Sequence, residues 1–368
     1  MHLASIKLTQ FKNYEAANLQ FSPTVNCIVG LNGMGKTNLL DAIYYLCMCK
    51  SNFSIADRLV VKDTTDFFRV EGLFSKEKKS FKVVAKVKPK TKKEIELNGA
   101  VHPKLADHIG LFPVVMITPF DIELALDGSE VRRKFLDNSL AQIDRAYLNA
   151  LLQYNRILRQ RNATLKAANG GNIDHALLDT LDEQLLGPAA IIIEKRKTFC
   201  ASFLPVFKQY YKVISNEQEP VDCLYRSQLL ACELKDLLKQ NREKDVYLQR
   251  STVGIHKDDL TFTIKDKPLK KFASQGQLKS FILALKLAQY HLVRIKKDSF
   301  PILLLDDIFD KLDNNRVQQL LTLLFNNDFG QIFFTDTHED RLLKLLQSFD
   351  IASKRFIIEQ GAIRDENL

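Results

Sequence analysis

No apolar run in this 368-residue chain approaches the roughly 18–20 residues a membrane-spanning helix needs, so no membrane partner is expected. The start, Met1-His2-Leu3-Ala4-Ser5-Ile6, lacks the basic residues and apolar stretch of a secretory signal. The expected compartment is therefore the cytoplasm, in association with the nucleoid. There are six cysteines (27, 47, 49, 200, 223 and 232), mostly in apolar or helical contexts, which suits reduced thiols rather than a disulfide framework. Cys47-Met48-Cys49 has no second ligand pair nearby and reads as helix packing, not a metal site. No repeat is visible, and low complexity is confined to one lysine-rich segment. Helix-turn-helix and zinc-finger spacings are also missing, so no base-reading module is expected.

What the chain does have is an ordinary globular composition, 46% hydrophobic and 26% charged, with enough length for two lobes. Lys plus Arg is 53 against 44 Asp plus Glu, a net charge of +9 that favours an anionic partner. Residues 1–30, 67–74, 81–88 and 111–117 read as strands. From about 120 to 250 the pattern is helical, with Leu148, Leu151, Leu152, Leu158 and Leu165 read as one stripe ended by Asn169-Gly170-Gly171-Asn172. A second helical block, His175 to Tyr211, reads as interrupted near Gly187-Pro188. Strand character returns near 252. A helix over 276–297, the apolar run Ile302-Leu303-Leu304-Leu305, a helix over 314–325 and the strand Gln331–Phe334 follow. Strands alternating with helices imply βαβ units and a largely parallel sheet.

The apolar run Val25–Val29 leads into Gly30-Leu31-Asn32-Gly33-Met34-Gly35-Lys36-Thr37-Asn38, which has the spacing G-x-x-x-x-G-K-[ST]. Glycines let successive backbone N–H groups turn inward around phosphate oxygens, and the helix start that follows adds partial positive charge. Lys36 is placed to neutralise the β- and γ-phosphates and the Thr37 hydroxyl to ligate Mg²⁺. A glycine-rich turn with an ordinary surface lysine is the alternative, disfavoured by the strand before and the amphipathic helix after. Leu39, Leu40, Ile43 and Leu46 fall at helical spacing there.

Such a loop needs an acid to hold magnesium through water. Asp306, closing the run Ile302–Leu305, is the expected magnesium partner, and Asp307 is placed to polarise the attacking water. An aspartate is a shorter arm than a glutamate there, so hydrolysis is expected to be slow. Phe272-Ala273-Ser274-Gln275-Gly276-Gln277 opens a long helix and is a second candidate anion cradle, with Ser274, Gly276 and Gln277 as contacts. Two copies about a twofold axis would let Ser274 of one close on the phosphate held by Lys36 of the other. A helix cap with no ligand is the competing reading.

Nine lysines lie between residues 76 and 93, and in Phe81–Lys88 they alternate with Val and Ala. Lys82, Lys86 and Lys88 therefore project from one strand face, either toward phosphates or as guards of a sheet edge. Arg132-Arg133-Lys134 and Arg156, Arg159 and Arg161 add charge nearby in sequence. Contacts of this kind meet phosphates without reading bases and weaken sharply with salt.

The phosphate loop, the Ser-Gln-Gly-Gln signature and the acidic strand end followed by Asp310-Lys311-Leu312-Asp313 resemble ABC/SMC-type ATPase heads. More closely, residues 11–46, 114–137, 272–289 and 303–313 are similar, in order, to blocks of the bacterial RecF family. The resemblance implies an α/β fold: an ABC/SMC-type head with a mostly parallel sheet, an antiparallel N-terminal β subdomain and an inserted helical arm. The head is expected over 1–118 and 252–368 and the arm over 119–251, too short for the long coiled coils of SMC proteins. It also implies ATP with Mg²⁺, a weak DNA-stimulated ATPase, an ATP-dependent homodimer on duplex and gapped DNA, and partnership with RecR and RecO. The family's Ser-Phe-Arg is replaced by Ser51-Asn52-Phe53-Ser54, with Arg58 a candidate substitute. Its G-P-H-R-D-D-L appears as Gly254-Ile255-His256-Lys257-Asp258-Asp259-Leu260. His338 is either a γ-phosphate contact or a surface histidine, and no glutamine stands near Pro119-Phe120-Asp121 to fill a Q-loop role. Two other readings remain: an interaction module holding ATP as a static ligand, and a transporter ATPase subunit.

Overall fold

The structure, a computed structural model, describes residues 1–53, 56–167, 174–215, 219–309, 314–326, 329–337 and 352–367. Ser54, Asn169-Gly170-Gly171-Asn172, Asp310–Asp313 and His338 lie outside the described residues. The order begins β1 (His2–Phe11), β2 (Tyr14–Gln20), β3 (Val25–Val29), α1 (Lys36–Met48), β4 (Phe68–Lys76), β5 (Lys79–Val87), β6 (Glu94–Leu97), β7 (Ala100–Val101) and β8 (Val114–Ile117). It continues with α2 (Glu123–Leu126), α3 (Ser129–Ile143), α4 (Arg145–Ala167), α5 (His175–Ser215), β9 (Val221–Arg226), α6 (Leu234–Gln240), α7 (Arg242–Leu248), β10 (Asp259–Ile264), β11 (Lys267–Pro268) and α8 (Leu269–Phe272). The described elements end with α9 (Gln275–Lys297), β12 (Ile302–Leu305), α10 (Asn314–Asn326), β13 (Ile332–Asp336), β14 (Ser353–Glu359) and β15 (Ala362–Asn367).

Two compact units emerge: Met1–Asp121 with Val213–Asn216 and Gln275–Leu368, and Ile122–Lys212 with Glu217–Ser274. The first contains two six-stranded sheets. One, β15-β14-β3-β13-β12-β8, is parallel except for the β14–β15 hairpin. Its inner strands β3, β12 and β13 are buried at every residue, as strands covered on both faces must be, which is why they read as unbroken apolar runs. The other, β2-β1-β4-β5-β6-β7, is antiparallel throughout. Helix α1 shares one hydrophobic core with strands of both sheets, so beyond the expected Leu39, Leu40, Ile43 and Leu46 it also buries Ala42, Tyr44, Tyr45 and Cys47. Burial pushes the Cys27 and Cys49 thiols up to about 12, so they are protonated packing residues. Among the described residues no cluster of His, Cys, Asp and Glu is arranged to hold a metal ion, and no helix is long and apolar enough to cross a membrane.

The far end of α1 is closed by two basic side chains. Lys93 Nζ donates to the Cys49 carbonyl at 2.7 Å, and His108 Nε2 meets the Leu46 carbonyl at 2.6 Å. Burial, with a lesser contribution from His102, drives the His108 pKa down to about 4. A base held below its ordinary value of 6.5 gives stability that is complete above that value and is lost as pH falls toward 4. The loss amounts to about 3 kcal/mol once the pH is below the folded value. Thermal melting across this window should show the wild type losing more stability than His108→Gln; parallel profiles would refute the assignment.

The second unit departs from expectation in four places. Its limit is Ser274 rather than 251, because β10 pairs antiparallel with β9 and β11 with β10. Strand β9 lies within residues read as helical; only six residues long, its alternation (Val221, Cys223 and Tyr225 buried) is overshadowed by the helices around it. Helix α5 runs unbroken through Gly187-Pro188 and through Pro205. Each proline removes one ladder bond, but Leu181, Leu185, Ala189 and Ile192 bury a continuous stripe across the first, and packing outweighs propensity. In α4 the expected Leu148 and Leu165 are buried, but the rest of the buried stripe is Tyr147, Ala150, Tyr154, Ile157 and Arg161, whereas Leu152 is 51% exposed.

Candidate functional site

The phosphate loop spans the end of β3 and the start of α1. Its first glycine is required by close approach: a Cβ on Gly30 would lie 2.4 Å from the Ile358 carbonyl oxygen of β14. Gly35 has φ +117°, and a Cβ there would meet Asn13 Nδ2 at 2.5 Å. Asn13 and Tyr14, from the β1–β2 turn, fasten the loop. Asn13 Nδ2 donates to the Met34 carbonyl at 3.0 Å, Tyr14 Oη to the Gly35 carbonyl at 2.9 Å, and Asn38 Nδ2 to Asn13 Oδ1 at 2.7 Å. Leu31 and Asn32 at the apex are exposed, Leu31 by 70%, and Gly33 has φ +80°. A cavity of about 600 Å³ opens beside the loop, lined by Gly30, Leu31, Met34, Thr337, Ile358 and Arg364 among others.

Lys36 is only 4% exposed and folds back over its own loop, donating to the carbonyls of Gly30 at 2.8 Å and Leu31 at 3.3 Å. Its ammonium lies 4.0 Å from Asp307. Thr37 Oγ1 sits 3.0 and 2.9 Å from the two carboxylate oxygens of Asp306, joining the helix start to the end of β12. Asp306 is further anchored by its backbone N–H to the Ile117 carbonyl and by Thr335 Oγ1 at 2.8 Å. Thr335 also accepts the Asp307 backbone N–H at 2.8 Å, which holds Asp307 in the left-handed region at φ 43°. Burial raises the Asp306 carboxyl to about 6, opposed by the Thr335 and Thr37 hydroxyls and assisted by Asp307. A buried carboxylate beside a hydroxyl is a hard-oxygen donor pair, and such a pair fits magnesium, which takes one or two protein oxygens and completes its shell with water and phosphate.

Asn13, Tyr14 and Thr335 escape the sequence reading. The first two stand in Phe11-Lys12-Asn13-Tyr14, a polar turn whose only signal is its place in the resembling block. Thr335 follows the apolar Ile332-Phe333-Phe334 in the strand Ile332–Asp336, and that polar hydroxyl could have marked it. The expected Q-loop position is filled differently. Asp121 accepts the Thr118 backbone N–H at 2.7 Å and pairs with Lys286 of α9 at 2.6 Å.

Ser274 directly precedes α9, and Gly276 and Gln277 lie in its first turn, as the spacing predicts. A Cβ on Gly276 would be 2.5 Å from Arg316 Nη1, so a guanidinium from α10, also unmarked in the sequence reading, packs onto this helix start. It adds positive charge where the helix dipole is already positive.

Lys82, Lys86, Lys88, Arg132 and Arg133 are each engaged. Lys82 pairs with Glu71 at 2.9 Å, Lys86 with Glu96, and Lys88 with Asp66 at 2.8 Å. Strand β5 lies between β4 and β6, so its lysines form a cross-strand ion-pair lattice and do not guard an edge. Arg132 makes a forked pair with Asp259 at 2.7 and 3.1 Å, and Arg133 donates to the Asp258 carbonyl at 2.7 Å. Arg161 is fully buried against Asp182 and Asp245, at 2.5 and 2.7 Å, so its expected role as surface charge is overturned.

The family model described as RecF/RecN/SMC N terminal domain matches residues 2–356. The chain is similar to the DNA replication and repair protein RecF of Phocaeicola vulgatus, 41% identical over 99% of this chain and 98% of that one. Its likeness to the protein of the same name from Porphyromonas gingivalis is 42% over 99% and 100%. Among solved structures it resembles the recombination mediator protein RecF with ATP, from the RecFOR pathway, at a TM-score of 0.89 and 30% identity, covering 99% of this chain and 97% of that one. An SMC head bound to the C-winged helix domain of ScpA shares the fold, with a TM-score of 0.58 and 13% identity over 100% and 98% of the two chains.

Proposed function

The chain belongs to the RecF family, and on that premise we propose that it is an ATP-driven DNA clamp of recombinational repair and replication. ATP closes two copies around duplex DNA at gaps or junctions, and slow hydrolysis opens them again. RecO and RecR are the partners with which it supports recombinase loading, in the cytoplasm at the nucleoid. The observation that carries this reading is that Thr37, at the α1 start, bonds Asp306 at the end of β12 while Lys36, beside the glycine loop, lies 4.0 Å from the adjoining Asp307.

The residues divide the work as follows. The loop amides and the α1 amino end bind phosphate oxygens, and Lys36 exchanges the Gly30 and Leu31 carbonyls for them. Thr37 and Asp306 are the groups that would hold magnesium, which supplies positive charge against the phosphate oxygens. Asp307, fixed through its backbone to Thr335, orients the attacking water; its short arm leaves that water loosely held, so turnover is slow. Energy of this kind, released slowly, times a grip. If ATP binds well only between two copies, each ATP bound shifts the monomer–dimer balance.

Sedimentation of the full chain with and without ATP tests the clamp. Wild type should shift from monomer to dimer on ATP. Ser274→Arg should hold ATP as a monomer and fail to dimerise, since a bulky cation at the α9 start blocks closure on the other copy's phosphate. Normal ATP-driven dimers of that variant would be incompatible with a shared pocket.

A further inference from the structure

We infer that Arg133, Arg250 and Lys257, all in the second unit, form a contact for the phosphate backbone of nucleic acid. The inference rests on the DNA-clamp reading above and gives it a specific surface.

The three side chains meet because the Gly254–Leu260 turn is pinned from beneath. A Cβ on Gly254, at φ +122°, would lie 2.4 Å from the Tyr154 hydroxyl, so only glycine fits. His256 bonds that same hydroxyl through Nδ1 at 2.9 Å and faces the Ser251 carbonyl through Nε2 at 3.2 Å, bringing the neighbouring Arg250 and Lys257 together. Arg133 reaches the same turn from α3 by donating to the Asp258 carbonyl. Arg250 and Lys257 are exposed and Arg133 is half-buried.

The carboxylates around this corner are each paired with another cation, Glu130 with Lys134 and the others with arginines. Asp245 pairs with Arg161, Asp258 with Arg196, Asp259 with Arg132, and Asp137 with Arg196. Among the described residues no carboxylate pairs directly with Arg133, Arg250 or Lys257; the fields of Asp259, Asp137 and Asp258 reach Arg133 and that of Asp245 reaches Lys257, and each of these four acids is shared with an arginine of its own. Partial burial, and then the fields of Arg250 and Arg133, lower the Lys257 ammonium from its ordinary range, so the charges already repel one another. A ligand with closely spaced anionic oxygens relieves that repulsion, and guanidinium groups match phosphate geometry well. No base-reading group is needed: the contact positions the backbone and carries no sequence preference.

The test is binding of the full chain with ATP to a short duplex of arbitrary sequence, across a series of salt concentrations. Each phosphate contact contributes about 0.9 to the slope of log affinity against log salt, so Arg250→Gln/Lys257→Gln should flatten the slope by about 1–2 and weaken binding about tenfold or more at low salt. The charge-keeping pair Arg250→Lys/Lys257→Arg should restore both, with melting curves confirming that all variants are folded. A neutralised variant with the wild-type slope would overturn the contact while leaving the clamp intact. Loss of binding to a polyglutamate peptide with duplex binding unchanged would also overturn it. Wild type without salt-dependent duplex binding would remove the clamp reading itself.

Discussion

Replacing Lys36 with alanine is expected to weaken ATP binding by at least about 3 kcal/mol, roughly a hundredfold or more in Kd. The lysine is nearly buried, and its ammonium donates to two loop carbonyls that mark where phosphate oxygens will compete for it. Charge-assisted hydrogen bonds of this kind each contribute about 1.5–3 kcal/mol, and alanine removes both at once. The fold should survive. Position 36 opens α1, where alanine is the best helix former, and the exposed apex at Leu31 lets water reach the vacated carbonyls. Lys36→Arg should not rescue binding, because a planar fork is wider than the pocket shaped by Gly30 and Leu31. Equilibrium binding of a fluorescent ATP analogue checks both variants. Wild-type affinity in the alanine variant, with an unchanged melting curve, would show that the loop does not cradle phosphate.

That loop was legible in the sequence because its chemistry is local. Six consecutive positions decide the backbone path, and the apolar run before Asp306 declares a buried strand by itself. The parts that hold the site are harder to read, since they come from far along the chain. Asn13 stands 21 residues from the carbonyl it fastens, and Thr335 stands 29 from Asp306. No spacing rule connects them; β13 beside β12 in the parallel sheet brings Thr335 to Asp306, and the β1–β2 turn of the antiparallel sheet brings Asn13 to the loop. The arm shows the same limit in another form. Its leucines gave only part of the α4 stripe, Leu148 and Leu165, because hydrophobicity alone does not place an arginine in a core. Arg161 and Arg196 are among the largest fully buried side chains; the first reads in sequence as added charge, and nothing in the sequence reading marks the second. What buries them is a set of aspartates supplied by α3, α5, α7 and the turn after Gly254, a coincidence that exists only once the unit has folded.

Arg196 is where that coincidence has its largest expected consequence. Its guanidinium donates to Asp258 at 2.6 Å, to the Ile255 carbonyl at 2.8 Å, to Asp137 at 2.8 Å and to the Tyr147 hydroxyl at 3.1 Å. Arg196→Met should cost about 3–5 kcal/mol, because it strands a buried carboxylate at Asp258. Whole domains are stable by only about 5–15 kcal/mol, so a large share of the second unit's stability would go. Asp258 is already raised by burial even with the arginine in place, and without it the carboxyl will take up a proton more readily still. The deficit of the variant should therefore shrink as the pH is lowered, since protonation removes the stranded charge. Adding Asp258→Asn should recover part of the loss at neutral pH, because the amide can still accept from Tyr225, whose hydroxyl lies 2.5 Å from Asp258. A denaturation cycle over the four proteins measures the coupling, expected to exceed about 1 kcal/mol. A single-variant loss below about 1 kcal/mol, or a deficit that grows on acidification, would mean that the arginine fills space and does not neutralise Asp258.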